Sequence, residues 1–273
     1  YIIRQLFPKP IFNLIFQWVR WICFSICFSF ILVNFGISSR PFEVHFFIGL
    51  CVWYVIETAF YRLSIHIFDS SNIKIFPRYE LDNCDKLWPI NPHTIVIKEW
   101  IAQNKFKLIN NFKSNLIKGI CIRQAVYLNN EKTVKLIVYF LPSRNGKIKL
   151  NYSFTSKFKS GDLFITDNQN IPFGGFYPDH WKCERKPLIT NINSLFLEHT
   201  KNVINEGDSE KYEKEETLFE INEIQKNLED LNIKKGFIHY SNNLIKLTPF
   251  GIYRLWKEMW LLAYLGKTIK HKQ

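Results

Sequence analysis

Residues 21–39, "WICFSICFSFILVNFGISS", contain no charged side chain. At about 1.5 Å of rise per residue a helix of this length covers roughly 28 Å, close to the hydrocarbon thickness of a bilayer. No other feature of the chain limits the fold so strongly. Backbone placed in hydrocarbon must satisfy its own hydrogen bonds, and a helix does so within one segment. Trp18, Arg20 and Trp21 flank the start of the run as interfacial anchors do. The preceding "PIFNLIFQWVR" is apolar but short, and either lies along the membrane surface or lengthens a tilted helix. A second apolar run covers 44–61, with an uncharged core from Phe46 to Ile56 bounded by His45 and Glu57. The short connection around Ser39, Arg40 and Pro41 favours an antiparallel hairpin of two apolar helices, 10–39 and 44–61. A cleaved signal peptide fits less well, because the first run is too long and leads into more apolar sequence rather than a cleavage site. A buried hairpin of a soluble protein is the other rival. Glu57 lies near the end of its run, where its carboxylate is expected to reach the headgroups.

The rest of the chain is written for water. Of 36 Lys+Arg and 24 Asp+Glu, only Arg4, Lys9, Arg20, Arg40, Glu43 and Glu57 fall in the first sixty residues. The first three of these, with Arg62 and the basic body behind it, place both ends of the hairpin on the cytoplasmic side, or the matrix or stromal side of an organelle. The expectation is an integral membrane protein whose lipid partner is the bilayer. The net charge of +12 attracts phosphate, and for a membrane-held protein the nearer source is anionic headgroups. Cys23, Cys27, Cys51, Cys84, Cys121 and Cys183 show no framework spacing, as expected of a reducing compartment. An opening on Tyr1 is what a processed form or a fragment would show.

The fold class expected is α+β: the membrane hairpin (1–61), an antiparallel β-meander domain with helices (62–190) and a C-terminal helix–hairpin–helix module (191–273). Residues 62–93 read as an irregular linker, and 94–118 as β-like at first and then helical. Three stretches rich in Val, Ile, Tyr and Phe, 119–128, 133–141 and 147–154, are separated by turn residues, and 163–167 adds a fourth strand. In the third, Ile148, Leu150, Tyr152 and Phe154 alternate with Lys149, Asn151 and Ser153, which predicts one face in water. Residues 170–187, dense in Gly, Pro and aromatics, read as a long loop plugging one end of the sheet.

In the C-terminal part, 193–204 predicts a helix and 205–217 a charged linker. Thr217 and Glu220 form a capping box ahead of a helix with Ile221, Ile224, Leu228 and Leu231 on one face. A hairpin over 236–247 turns at Asn242 and Asn243. Thr248 and Pro249 then open an amphipathic helix that Gly266 can end. This order resembles a winged helix. The helix that would enter a DNA groove, however, carries Glu220, Glu223, Glu229 and Asp230 against Lys226 alone, so a phosphate backbone repels it. Nucleic acid is therefore the alternative partner, despite Lys234, Lys235 and Lys246 on and beside the hairpin and Lys267, Lys270 and Lys272 in the tail. Trp256 and Trp260 are expected to pack in the module, against a protein partner or at the membrane surface.

No nucleotide fingerprint, nucleophile elbow, zincin motif or paired C-x-x-C occurs. The nearest metal pattern, His180-x-x-Cys183 with Cys84 and His93 distant, falls short of four convergent ligands, and His180 and Cys183 read as packing residues beside Trp181. Glu57, Glu99, Asp162 and Asp179 offer carboxylates that nothing in the sequence pairs. No cofactor is expected. The leading expectation is a membrane-anchored, non-catalytic binding protein, an assembly, scaffold or regulatory factor of a membrane complex with a protein partner. The alternatives are a tethered nucleic-acid regulator and a membrane enzyme acting on a lipid-linked substrate through the 170–187 loop.

Overall fold

The computed structural model describes residues 10–83, 88–90, 92–117, 119–142, 148–207, 209–212, 218–241 and 244–269. Two long apolar helices come first, α1 (Pro10–Asn34) and α2 (Phe42–Ser70), each long and apolar enough to cross a membrane. They pack where side chains are small: a Cβ on Gly49 would lie 3.0 Å from the Ser25 Cα, and Ser25 and Ser29 are fully buried. The outward faces remain apolar and exposed, including Ile22, Ile26 and Phe30 of α1 and Phe47, Val55 and Phe60 of α2. The second helix is longer than 44–61. It continues through the stretch expected to be irregular because Ile65 is buried against the C-terminal module and holds the last turns helical.

Next come β1 (Glu80–Leu81), α3 (Pro92–Gln103), β2 (Lys107–Ile117), β3 (Ile120–Leu128), β4 (Val134–Pro142), β5 (Ile148–Phe158), β6 (Leu163–Asp167), β7 (Trp181–Arg185), α4 (Ile192–Glu206) and β8 (Ser209–Glu210). The sheet follows chain order from β1 to β7, with β8 added to β5, and every pairing is antiparallel except β6 with β7. Two expectations are corrected. Over 94–118 helix precedes strand, because Thr94, Ile97 and Ile101 bury at helical spacing, whereas Phe112 and Ser114 bury at strand spacing. Lys105, at φ 55, marks the break between them. The 170–187 segment is not loop throughout, since Trp181–Arg185 pairs with β6 from Leu163↔Trp181 to Asp167↔Arg185.

The chain closes with α5 (Leu218–Lys234), the hairpin strands β9 (Ile238–Ser241) and β10 (Leu244–Leu247), α6 (Pro249–Trp260) and a π-helical turn, Leu261–Leu265, ending at left-handed Gly266. Thr248 caps α6 by accepting from the Gly251 N–H, with Pro249 in its first turn. Thr217, Asn242 and Asn243 lie outside the described residues. The result is a mixed α+β chain with a mainly antiparallel sheet. One sheet face, from Ala125 and Tyr127 through Leu136 and Val138 to Tyr152 and Phe154, packs on Ile97 and Ile101 of α3 and Leu195 of α4. The opposite face looks toward α2, α5 and α6. There Phe76, Leu228, Phe237, Leu247 and Leu255 form a second cluster with Ile65.

Candidate functional site

Between that second sheet face and the C-terminal helices lies a cavity of about 560 Å³. Its helical wall is mainly apolar: Ile65 and Phe68 from the last turns of α2, Leu228 of α5, Leu255 and Met259 of α6, with Phe76, Phe173 and Phe237 between them and Ser64 and Gln225 as polar members. Its floor is the sheet. Pairing aligns Val126, Ile137, Ser153, Asp167 and Arg185 in one row across β3 to β7. The next row runs through Lys135, Thr155, Ile165 and Cys183. The expectation of a wet face on β5 holds at exposed Lys149 and fails beyond it: Asn151 is 1%, Ser153 4% and Thr155 6% exposed. The alternation is real, but the polar side of the strand faces the cavity rather than bulk water.

A buried ionic cluster borders the cavity. Arg185 reaches Asp167 (Nε–Oδ2, 3.5 Å) and Glu258 (Nη1–Oε1, 3.3 Å), and donates to the Tyr177 hydroxyl (2.8 Å) and the Ile171 carbonyl (3.1 Å). Burial pushes both carboxyls up, and Arg185 opposes the shift in each. Glu258 also accepts from the backbone N–H groups of Phe173 and Gly174. Arg254 donates to the carbonyls of Gly174 (2.6 Å) and Gly175 (3.3 Å), its guanidinium 4.0 Å from the Phe176 ring centroid. Asn232 of α5 bonds both the N–H and the carbonyl of Phe176. The 168–180 crossover is thus held by α5 and α6 through its backbone. Gly174, at φ 69, permits this approach, since a Cβ there would lie 2.9 Å from the Leu255 backbone.

A second constellation joins the helical hairpin to the end of the chain. Glu57 is 4% exposed and does not reach outward as expected. It accepts from Arg20 (3.0 Å), Trp53 (2.8 Å), Tyr61 (2.9 Å) and Tyr264. Trp18 donates to the Tyr264 carbonyl at 2.9 Å. Trp260 stacks on Tyr264 at 4.7 Å and meets Tyr54, Tyr61 and Trp21 at 5.2, 5.4 and 5.9 Å. The hairpin and the C-terminal module therefore share one aromatic junction around one carboxylate.

The remaining residues singled out in the sequence are dispersed. Trp256 is half-buried in the cluster beside the cavity. Lys246 bonds the Asp69 carbonyl and Asn72 Oδ1 (3.0 Å), pinning the β-hairpin to the end of α2, while Lys234 and Lys235 are exposed. The His180 carbonyl accepts from the Leu163 N–H, and its ring stands edge-on to Trp181. Cys183 lines the cavity, its thiol pushed up to about 12 by burial and then by Asp167, so it is not a thiolate at neutral pH. Cys84 lies outside the described residues, and His93, Glu99 and Asp179 are exposed. Among the described residues no three His, Cys, Asp or Glu side chains gather as a metal site would require. Sequence reasoning missed Gln124, Ser153, Thr155, Asp167, Arg185 and Glu258. Of these only Ser153 carried a signal, the polar alternation of β5, and it reads equally well as a solvent face. No protein family, curated protein or solved structure matches this chain.

Proposed function

We propose that this chain is a membrane-anchored, non-catalytic binding protein that holds a small molecule with a large apolar body in the cavity between its sheet and its C-terminal helices. The observation that carries the reading is the cavity itself. Its volume of about 560 Å³ falls within the roughly 300–1,000 Å³ of small-molecule pockets, and one wall is the continuation of an apolar helix long enough to span a bilayer. Such a wall favours a ligand that partitions into membrane. Arg185 engages both carboxylates beside the cavity, Asp167 and Glu258, which supports binding rather than acid–base work.

In this reading α1 and α2 span the membrane, with the sheet and C-terminal helices on the cytoplasmic, matrix or stromal side, as Arg20 and Arg62 against the lone loop Arg40 favour. The winged-helix-like order of α5, hairpin and α6 serves as the lid of the cavity. It does not read bases: α5 is acidic, and its Glu229 is already held by Arg78 at 2.7 Å. Exposed Phe250 and Tyr253 of α6 offer a surface for a protein partner in a membrane complex.

Titration of the full chain in a non-ionic detergent with Nile red, an uncharged apolar dye, tests the reading. Saturable binding is expected, and Ser153→Phe, which fills the floor, should weaken it at least about tenfold. Binding that never saturates, or that Ser153→Phe leaves unchanged, refutes the site. Alkaline carbonate extraction checks the anchor, because release of the intact chain from membranes is incompatible with two spanning helices.

A further inference from the structure

We infer that the ligand of this cavity, on the reading that it is a binding site, is an uncharged amphiphile: a long or flat apolar body carrying a neutral hydrogen-bonding group such as a hydroxyl, amide or carbonyl. The argument begins with Gln124 of β3 and Ser153 and Thr155 of β5. All three line the cavity, and they are 4%, 4% and 6% exposed. Among the described residues none of their side chains has a hydrogen-bond partner in the protein. Their polar atoms open onto the cavity rather than being sealed within the protein, so three such groups on two strands of one floor stand ready for a polar group of a ligand. Hydroxyls and a carboxamide each donate and accept, so together they match a neutral polar group of either sense.

The charges nearby do not match an anionic head. Arg185 is the cation of the floor. Its Nε faces Asp167, one terminal nitrogen serves Ile171 and Glu258, and the other serves Tyr177. Asp167 and Glu258 already share this one guanidinium, so a carboxylate or phosphate beside it would be a third anion on a single buried cation. The two lysines of the lining look elsewhere: Lys74 is exposed, and the Lys135 ammonium lies 5.4 Å from the Tyr212 ring centroid. An ionised headgroup on the floor would therefore sit beside Asp167 with neutral partners alone. The opposite wall, with Ile65, Phe68, Leu228, Leu255 and Met259, is mainly apolar, and its polar side chains, Ser64 and Gln225, are uncharged.

Native mass spectrometry of the full chain in a non-ionic detergent tests this, with a monoacylglycerol and the fatty-acid anion of the same chain length competing at neutral pH. The uncharged lipid should dominate the bound population by about tenfold or more, the worth of one well-made hydrogen bond against an unpaired charge. The combined variant Gln124→Leu, Ser153→Ala and Thr155→Val should abolish that preference while still binding apolar molecules. Its melting temperature should not fall, because the removed groups have no protein partner. Equal or stronger binding of the anion, or a preference that survives the triple variant, overturns the inference. Loss of all adducts, or adducts indifferent to Ser153→Phe, instead overturns the reading of the cavity as a ligand site.

Discussion

His199 sits wholly buried on α4, one ring nitrogen 3.1 Å from the Ser156 hydroxyl and the other 3.0 Å from the Thr166 hydroxyl. The Ser156 hydroxyl donates to the Thr133 carbonyl at 3.1 Å, so it accepts from Nε2–H, and the Thr166 hydroxyl donates to Nδ1 of the neutral ring. Burial holds its pKa down to about 3. The folded value lies below the unfolded one, so between roughly pH 6.5 and 3 the unfolded chain binds a proton that the folded chain refuses. Stability from this residue is complete above pH 6.5 and falls as the pH drops, by about 2 kcal/mol at pH 5. Chemical denaturation at pH 7 and pH 5 should show that loss, and His199→Gln should remove most of it. A slope unchanged in the variant would place the acid sensitivity elsewhere. No periodicity or motif marks this histidine in the sequence. Its partners lie 43 and 33 residues away, and only the sheet brings them together.

Among the elements, legibility follows the length of the pattern. The two apolar helices, the strands around 119–167 and the capped α6 stand out because their signals are local: uncharged length, period-two alternation, and Thr-Pro at a helix start. The order of helix and strand over 94–118 is not local. Ile97 and Ile101 become helical positions because the sheet face behind them demands cover, and a short apolar run alone fits either element. The polar side of β5 shows the same limit, since alternation reveals two unlike faces but not what lies over each. Close approaches are also invisible in sequence. Gly251, in the first turn of α6, has no room for a side chain, because a Cβ there would stand 2.0 Å from the Phe237 carbonyl oxygen. That carbonyl already accepts from the Thr248 N–H at 3.1 Å and cannot step aside without losing the cap. Gly251→Ala should therefore cost about 3 kcal/mol, at the upper end of overpacking, and Nile red affinity should fall as α6 lifts from the cavity. A melting temperature equal to wild type would contradict the packing described for this turn.

At the scale of the whole molecule, the helical hairpin and the C-terminal helix are tied together at one junction. The junction at Glu57 draws on α1, α2 and the final π-helical turn, and Tyr264 lies 207 residues from the carboxylate it binds. Tyr264→Phe removes one donor, and Trp260→Ala removes the ring stacked between the two parts. Each should increase the rate at which limited proteolysis releases the C-terminal segment, Trp260→Ala by about tenfold or more for a lost aromatic contact set of roughly 3 kcal/mol. Equal rates in all three proteins would show that the junction bears no load. The same contacts set an order of events during synthesis. The two helices emerge from the ribosome ahead of Trp260 and Tyr264, so Arg20 and Glu57 can face each other while the Tyr264 donor and the Trp260 ring are still unmade. The helical hairpin gains its remaining contacts only when Trp260 and Tyr264 arrive. Nascent chains halted before Trp260 should hence keep an open, protease-sensitive junction, which closes only once the residue 207 positions beyond Glu57 has been made.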